Sequence, residues 1–199
     1  VKSILQDDTI NGFNVTIPYK EEILKFLDEI DEAAKTIGAV NTIKKINNKY
    51  IGFNTDFIGF EKSLIGLIEN KKPENALILG SGGASKAVKY VLNKLNINYS
   101  TVSRKSGKSE FIYENLNNEI INSFKLIINC SPVGTYPNIN DSPNIPYEYL
   151  TEDHILYDLI YNPAETLFLK KGRTSGCKIK NGLEMLEVQA NEAWRIWNS

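Results

Sequence analysis

From residue 79 to 85 the chain reads LGSGGAS, and after the next apolar run, from 101 to 108, it reads TVSRKSGK. The first stretch gathers Gly80, Gly82 and Gly83, with Ser81 and Ala84 between and after them, where backbone must turn tightly from a strand into a helix. N–H groups at such a helix start can face a pyrophosphate, and glycine lets the phosphates approach the main chain. Ser85 stands where a third glycine is usual. The second stretch bears on which nucleotide would bind. A site for NAD carries an Asp or Glu about 20 residues on, to bond the ribose 2′-hydroxyl. Here that place holds Ser103, Arg104, Lys105 and Lys108 and no acid. A hydroxyl and three cations suit a 2′-phosphate, because Arg grips its oxygens in a forked, charge-assisted pair. The bland alternatives are a glycine turn that only packs and a basic loop that only meets water. Position, between strand and helix and directly after the second strand, favours NADP.

The elements that must hold these loops can be read around them. NALILG is a short apolar strand, GASKAVKYVLNKL has apolar residues at helical spacing, and YSTVS and FKLIINC are further strands. HILYDLIY (154–161) and CKIKN (177–181) extend the pattern. Strands alternating with helices predict an α/β fold with a mainly parallel, doubly wound, Rossmann-like sheet. The last segment places Leu183, Leu186, Ala190, Ala193 and Trp197 at intervals of three and four, the mark of one apolar helix face. Before residue 60 the grammar differs. KEEILKFLDEIDEAAKTI predicts an amphipathic helix pair or one bent helix, and GAVNTIKKINNKYIGFNTD predicts a hairpin turning at Asn47-Asn48. The charged, proline-bearing IENKKPEN (68–75) is the expected boundary, giving units at 1–70, 71–181 and a closing helix at 182–199.

The bulk composition narrows the partners. In 199 residues, 23 basic and 24 acidic side chains leave a net charge of -1, so no global field draws the chain to nucleic acid or an acidic membrane. A small-molecule partner is the expectation. No apolar run reaches the roughly 18 residues of a membrane span, and the first residues, VKSILQDD, lack the apolar core of a signal peptide. Cys130 and Cys177 lie in apolar runs, as free thiols do in a reducing compartment, so a cytoplasmic protein is expected. His154 is the sole histidine and is expected to be a turn residue. With two distant cysteines it forms no spaced ligand set, and no metal is expected.

Five separated motifs, GFNVTIPYK (12–20), GAVNT (38–42), GFNTDFIGF (52–60), YDLIYNPAET (157–166) and GLEMLEVQA (182–190), closely resemble the shikimate dehydrogenase family, in the family's order and across nearly the whole chain. The resemblance implies reversible hydride transfer between NADPH and 3-dehydroshikimate, giving shikimate on the route to aromatic amino acids. It implies a catalytic pair, Lys20 and Asp56. Reducing a ketone with hydride creates an alkoxide that must be protonated, and the reverse needs that proton removed, so one acid/base group serves both directions. It further implies that Thr16, Lys20, Asn41, Asp56 and Gln189 meet the substrate's hydroxyls, with Tyr161 near its ring or carboxylate. Leu159 and Gly182 fall near the nicotinamide, Gly80 to Ala84 at the pyrophosphate, Ser103, Arg104, Lys105 and Lys108 at the 2′-phosphate, and Glu32 on the cofactor side. The turn INCSPVGTYP departs from the pattern, with Cys130, Ser131 and Thr135 where the family commonly has Ala, Thr and Met. The family's first strand, helix and serine-bearing loop have no counterpart ahead of Val1, so the resemblance reads as an N-terminally truncated member with a smaller, truncated α/β substrate domain. A relative that prefers quinate and a non-catalytic NADP-binding module are the alternatives. A monomer or a homodimer is expected.

Overall fold

The computed structural model describes residues 9–69, 71–104, 107 and 109–199. Strands β1 (Gly12–Asn14), β2 (Glu29–Ile30), β3 (Thr42–Ile46) and β4 (Lys49–Phe53) form a small sheet in the order β1-β3-β4-β2. β3 and β4 pair antiparallel through a two-residue turn in which Asn47 and Asn48 have φ of 50° and 62°. Two successive left-handed residues match the twist of the flanking strands, and Asn tolerates that conformation better than other non-glycine residues. The hairpin expected at Asn47-Asn48 is therefore present.

The segment before it differs from expectation. In place of a helix pair, a 3₁₀ turn (Glu22–Phe26) leads into β2, and only then comes helix α1 (Glu32–Ile37). Residues 28–31 are captured by the edge of β4: Asp28 N donates to Tyr50 O at 3.0 Å, Tyr50 N to the Asp28 carboxylate at 2.7 Å, and Asp31 N to Gly52 O at 2.9 Å. The Asp31 carboxylate then caps α1 through Ala33 N and Ala34 N. Unpaired edge groups and an N-cap aspartate thus override a helical periodicity.

The larger sheet holds β5 (Asn75–Leu79), β6 (Asn98–Ser103), β7 (Phe111–Ile112), β8 (Leu126–Asn129), β9 (Ile155–Asp158) and β10 (Lys178–Lys180). All are parallel, in the order β10-β9-β8-β5-β6-β7. Helices α2 (Asp56–Ile68), α3 (Gly83–Lys94), α4 (Asn118–Ser123), α5 (Leu167–Thr174) and α6 (Leu183–Trp197) complete the fold. Ile78, Ile128 and Tyr157 face Phe60, Leu64, Val88 and Val91 on one side of the sheet. Leu77, Leu79, Ile127 and Leu156 face Phe168 and Ile121 on the other. Burial of both faces is why these strands read as continuous apolar runs and not as alternations. The strand order reverses between β5 and β8, and at such a switch point the loops beyond the strand ends open a crevice.

Two further expectations change. The buried face of α6 is Met185, Ala193 and Ile196, whereas Leu183 and Ala190 are exposed and Leu186 and Trp197 half-buried. The helix is turned by its approach to α2 at Gly59, where an added Cβ would strike the Met185 carbonyl and lie 3.2 Å from Gln189 Cβ. His154 is fully buried and does more than make a turn. Thr151 N donates to its Nδ1 at 3.0 Å, which leaves Nε2–H to donate to Ile121 O at 3.1 Å, joining the start of β9 to α4. Among the described residues no helix is long and apolar enough to cross a membrane, and no group of His, Cys, Asp or Glu is arranged to hold a metal.

Candidate active site

Lys20 follows a tight turn in which Tyr19 N donates to Thr16 O at 2.9 Å, and its own carbonyl accepts from Val40 N at 2.8 Å. The side chain reaches the first turn of α2, where Nζ lies 2.7 Å from Asp56 Oδ2. Both side chains are mostly shielded, at 16% and 11% exposure. Asp56 Oδ1 accepts from Asn41 Nδ2 at 2.9 Å. A carboxylate in a helix's first turn is also favoured by the macrodipole. The two oxygens of Asp56 are thus divided between the lysine ammonium and Asn41.

Asn41 is the hub of this corner. Its Oδ1 accepts from Thr55 N at 2.7 Å and Thr42 Oγ1 at 3.1 Å, and its Nδ2 also donates to Thr55 Oγ1 at 3.0 Å. Gln189 arrives on α6, with Oε1 3.4 Å from Asn41 Nδ2 and 3.3 Å from Thr55 Oγ1. Trp197 Nε1, two turns along the same helix, donates to Ile43 O at 2.9 Å. So the chain's last helix is pinned across the small sheet, and Asn41, Thr55, Asp56 and Gln189 present amide, hydroxyl and carboxylate groups beside one cation. Thr16 is exposed on the turn before Lys20. Sequence reasoning missed Thr55. The register could have found it, since Thr42 pairs with Phe53 and the residues just outside the hairpin must then face each other.

The glycine loop leaves β5 at Gly80, whose φ of +106° is open to glycine and strained for other residues. A Cβ there would also lie 3.2 Å from Ser131 N. No side chain caps α3, and Cβ atoms built on Gly82 would meet open space, so the helix N-terminus is open to an anion beside Ser81, Gly83 and Ala84. Ser85 replaces the third glycine at no cost in polarity: it is buried with its hydroxyl folded back on Gly82 O at 2.7 Å. Glu21 pairs with Lys86 on α3 at 2.7 Å, linking the segment after Lys20 to this helix.

At the end of β6, Ser103 is buried and accepts from Ser109 Oγ at 2.8 Å, while Arg104 is exposed. Lys105 and Lys108 lie outside the described residues. Beyond β9, half-buried Leu159 donates from N to Asn129 O at 3.1 Å, and buried Gly182 packs on the Leu159 carbonyl. Tyr161, 49% exposed, follows. Glu32 is exposed at the first turn of α1, while the far end of that helix packs Ile37 on Ala87 of α3. Positive φ at Gly80, an uncapped α3 and an arginine at the end of β6 fit a phosphorylated dinucleotide.

The first 43 residues match the model of the shikimate dehydrogenase substrate binding domain. Over 200 residues the chain is 44% identical to the shikimate dehydrogenase (NADP(+)) of Methanococcus aeolicus, covering 94% of this chain and 72% of that one. Among solved structures, shikimate dehydrogenase from Aquifex aeolicus aligns with a TM-score of 0.81 at 40% identity, over 96% of this chain and 73% of its own. The Thermus thermophilus enzyme, solved with NADP(H) and shikimate, aligns with a TM-score of 0.82 at 31% identity, over 98% and 75%. Such identity along nearly the whole chain, on a shared fold, shows that this protein belongs to the shikimate dehydrogenase family.

Proposed function

We propose that this protein reversibly reduces 3-dehydroshikimate to shikimate with NADPH, in the cytoplasmic route to aromatic amino acids. The observation that carries this reading is the shielded Lys20–Asp56 pair set among Asn41, Thr55 and Gln189. When bound, the reduced nicotinamide supplies a hydride to the carbonyl carbon. The chain's own task is the proton. Lys20 Nζ stands to donate it to the developing alkoxide oxygen and to take it back in the reverse direction, while Asp56 holds the ammonium in place from 2.7 Å. Thr16, Asn41, Asp56 and Gln189 are assigned to the substrate's hydroxyls, and Tyr161 to its ring or carboxylate. The polar groups of a polyol site discriminate strongly because an unmatched buried donor or acceptor is costly.

For the cofactor, Gly80, Ser81, Gly82, Gly83 and Ala84 are assigned to the pyrophosphate. Ser103 and Arg104, with Lys105 and Lys108, are assigned to the 2′-phosphate, Leu159 and Gly182 to the nicotinamide, and Glu32 to the cofactor's side of the cleft. In the same reading residues 1–70 act as the substrate unit, 71–181 as the NADP unit, and 182–199 as a helix that returns to the first. Two free thiols, Cys130 and Cys177, accord with a reducing compartment.

The test is Lys20→Ala, assayed by NADPH absorbance with shikimate and NADP⁺. Loss of a positioned acid/base group predicts a kcat lower by about 10²–10⁴-fold. The calorimetric affinity for NADP⁺ should stay within about twofold, because no cofactor contact is assigned to this side chain. Unchanged turnover would remove Lys20 from the chemistry. A wild-type protein that binds NADP⁺ and turns over no shikimate would instead favour a binding module.

A further inference from the structure

Beneath the crevice lies a buried carboxylate that the reading above does not use. Asp158, the last residue of β9, is fully buried, as are Asn129 at the end of β8 and Thr166, the N-cap of α5. Asp158 Oδ1 accepts from Asn129 Nδ2 at 3.0 Å and from Ile160 N at 3.1 Å, and Oδ2 accepts from Thr166 Oγ1 at 2.6 Å. Asn129 Oδ1 in turn accepts from Ser131 N at 3.0 Å and Ser131 Oγ at 2.7 Å. Ile160 O accepts from Gly182 N at 3.0 Å. The backbone of Ser131 is what Gly80 packs against.

We propose that Asp158 is a positioning residue for the nicotinamide end of the cofactor site: through Asn129, Ile160 and Thr166 it sets the mutual spacing of the loops after β5, β8 and β9 and of Gly182. This inference rests on the reading of the crevice as a nicotinamide site. Each bond has a separate consequence. The Ile160 bond orients the turn that carries Leu159 and, through the Ile160 carbonyl, fixes Gly182 against it. The Asn129 bond holds the β8 turn under Gly80. The Thr166 bond ties both to the start of α5. No cation faces the Asp158 carboxylate at ion-pairing distance among the described residues, and burial pushes its pKa up to about 6 while these three donors pull it back. Keeping a carboxylate in so apolar a place is costly unless both its oxygens are hydrogen-bonded, as here. An apolar residue would fill the volume and would leave four elements without a common anchor.

The assay separates this role from plain support of the fold. Calorimetry with NADP⁺ and with 2′,5′-ADP, which has the adenine half and its 2′-phosphate and no nicotinamide, compares wild type, Asp158→Ala and Asp158→Asn. The end of β6 lies three strands from Asp158, about 14 Å at ordinary strand spacing. Asp158→Ala is expected to weaken NADP⁺ by about tenfold and to leave 2′,5′-ADP within about twofold. Asp158→Asn keeps an acceptor for Asn129 and Ile160 and can donate to Thr166, so it should restore NADP⁺ affinity to within about threefold of wild type. Equal weakening of both ligands, or of neither, overturns the inference. If Asp158→Ala does not fold, Thr166→Val against Thr166→Ser decides it. Val should weaken NADP⁺ alone and Ser should not, and no difference between them overturns it. Normal wild-type turnover with unperturbed variants would sink this inference alone, whereas wild type with neither turnover nor NADP⁺ binding sinks the reading beneath it.

Discussion

Gly182→Ala should unfold this protein more easily although alanine suits the local backbone. Gly182 has φ of -80°, so no left-handed strain is involved. The objection is space: an added Cβ would lie 2.6 Å from the Leu159 carbonyl carbon and 3.2 Å from its Cα, with the carbonyl oxygen closer still. Carbon atoms pack at about 3.5 Å or more, so the two backbones must part by about 1 Å. They cannot part without stretching Gly182 N to Ile160 O, now 3.0 Å. Overpacking costs about 1–3 kcal/mol, and the weakened hydrogen bond adds about 1 kcal/mol. A total of about 3 kcal/mol lowers Tm by roughly 6–12 °C in a chain of this size. The control is Gly66→Ala, exposed in the last turn of α2 with nothing within reach of its Cβ. There alanine should stabilise by up to about 1 kcal/mol, the helix-interior difference being its upper bound. Thermal unfolding followed by circular dichroism reads both. A Gly182→Ala Tm within about 2 °C of wild type, or a Gly66→Ala loss equal to it, would refute the reasoning.

Arg104→Ala should raise KM for NADP⁺ by about tenfold or more, the loss of a charge-assisted hydrogen bond, and change KM for NAD⁺ by less than about twofold. Equal effects would dismiss the 2′-phosphate role. His154 makes a pH prediction. Burial depresses its pKa below the ordinary value, so its contribution to stability is complete above about pH 6.5 and is lost as pH falls toward its folded pKa. Urea unfolding between pH 8 and 5 should therefore lose stability faster in wild type than in His154→Gln, and parallel curves would contradict the assignment.

Much of the architecture follows from local pattern. Residues 76–79 and 126–128 are apolar without alternation because both faces of a central parallel strand are covered, and that composition is visible in the chain. Asn47-Asn48 encodes its own turn, because the left-handed conformation is a property of the two residues themselves. Gly80, Gly82 and Gly83 mark a strand-to-helix loop in the sequence, and Gly80 takes the positive φ that glycine alone adopts freely. Lys20 and Asp56 were nameable from a family resemblance, although nothing in their spacing says that they meet.

What needed the tertiary structure depends on partners far along the chain. Residues 28–31 carry a helical period and instead run along β4, with Glu29–Ile30 as a strand, because β4 offers unpaired edge groups, a gain that no local window contains. The buried face of α6 is decided by how closely Gly59 admits the Met185 carbonyl, which keeps Ala193 buried and leaves Leu183 and Ala190, which periodicity also selects, exposed. Gln189 reaches Asn41 across 148 positions of sequence. Asp158 looks in sequence like the polar end of a strand, and only the convergence of Asn129, Ile160 and Thr166 on its two oxygens makes it a junction. Periodicity and turn chemistry are one-dimensional and can be read. Hydrogen-bond satisfaction in a buried corner is a property of several segments at once, and is settled when they pack.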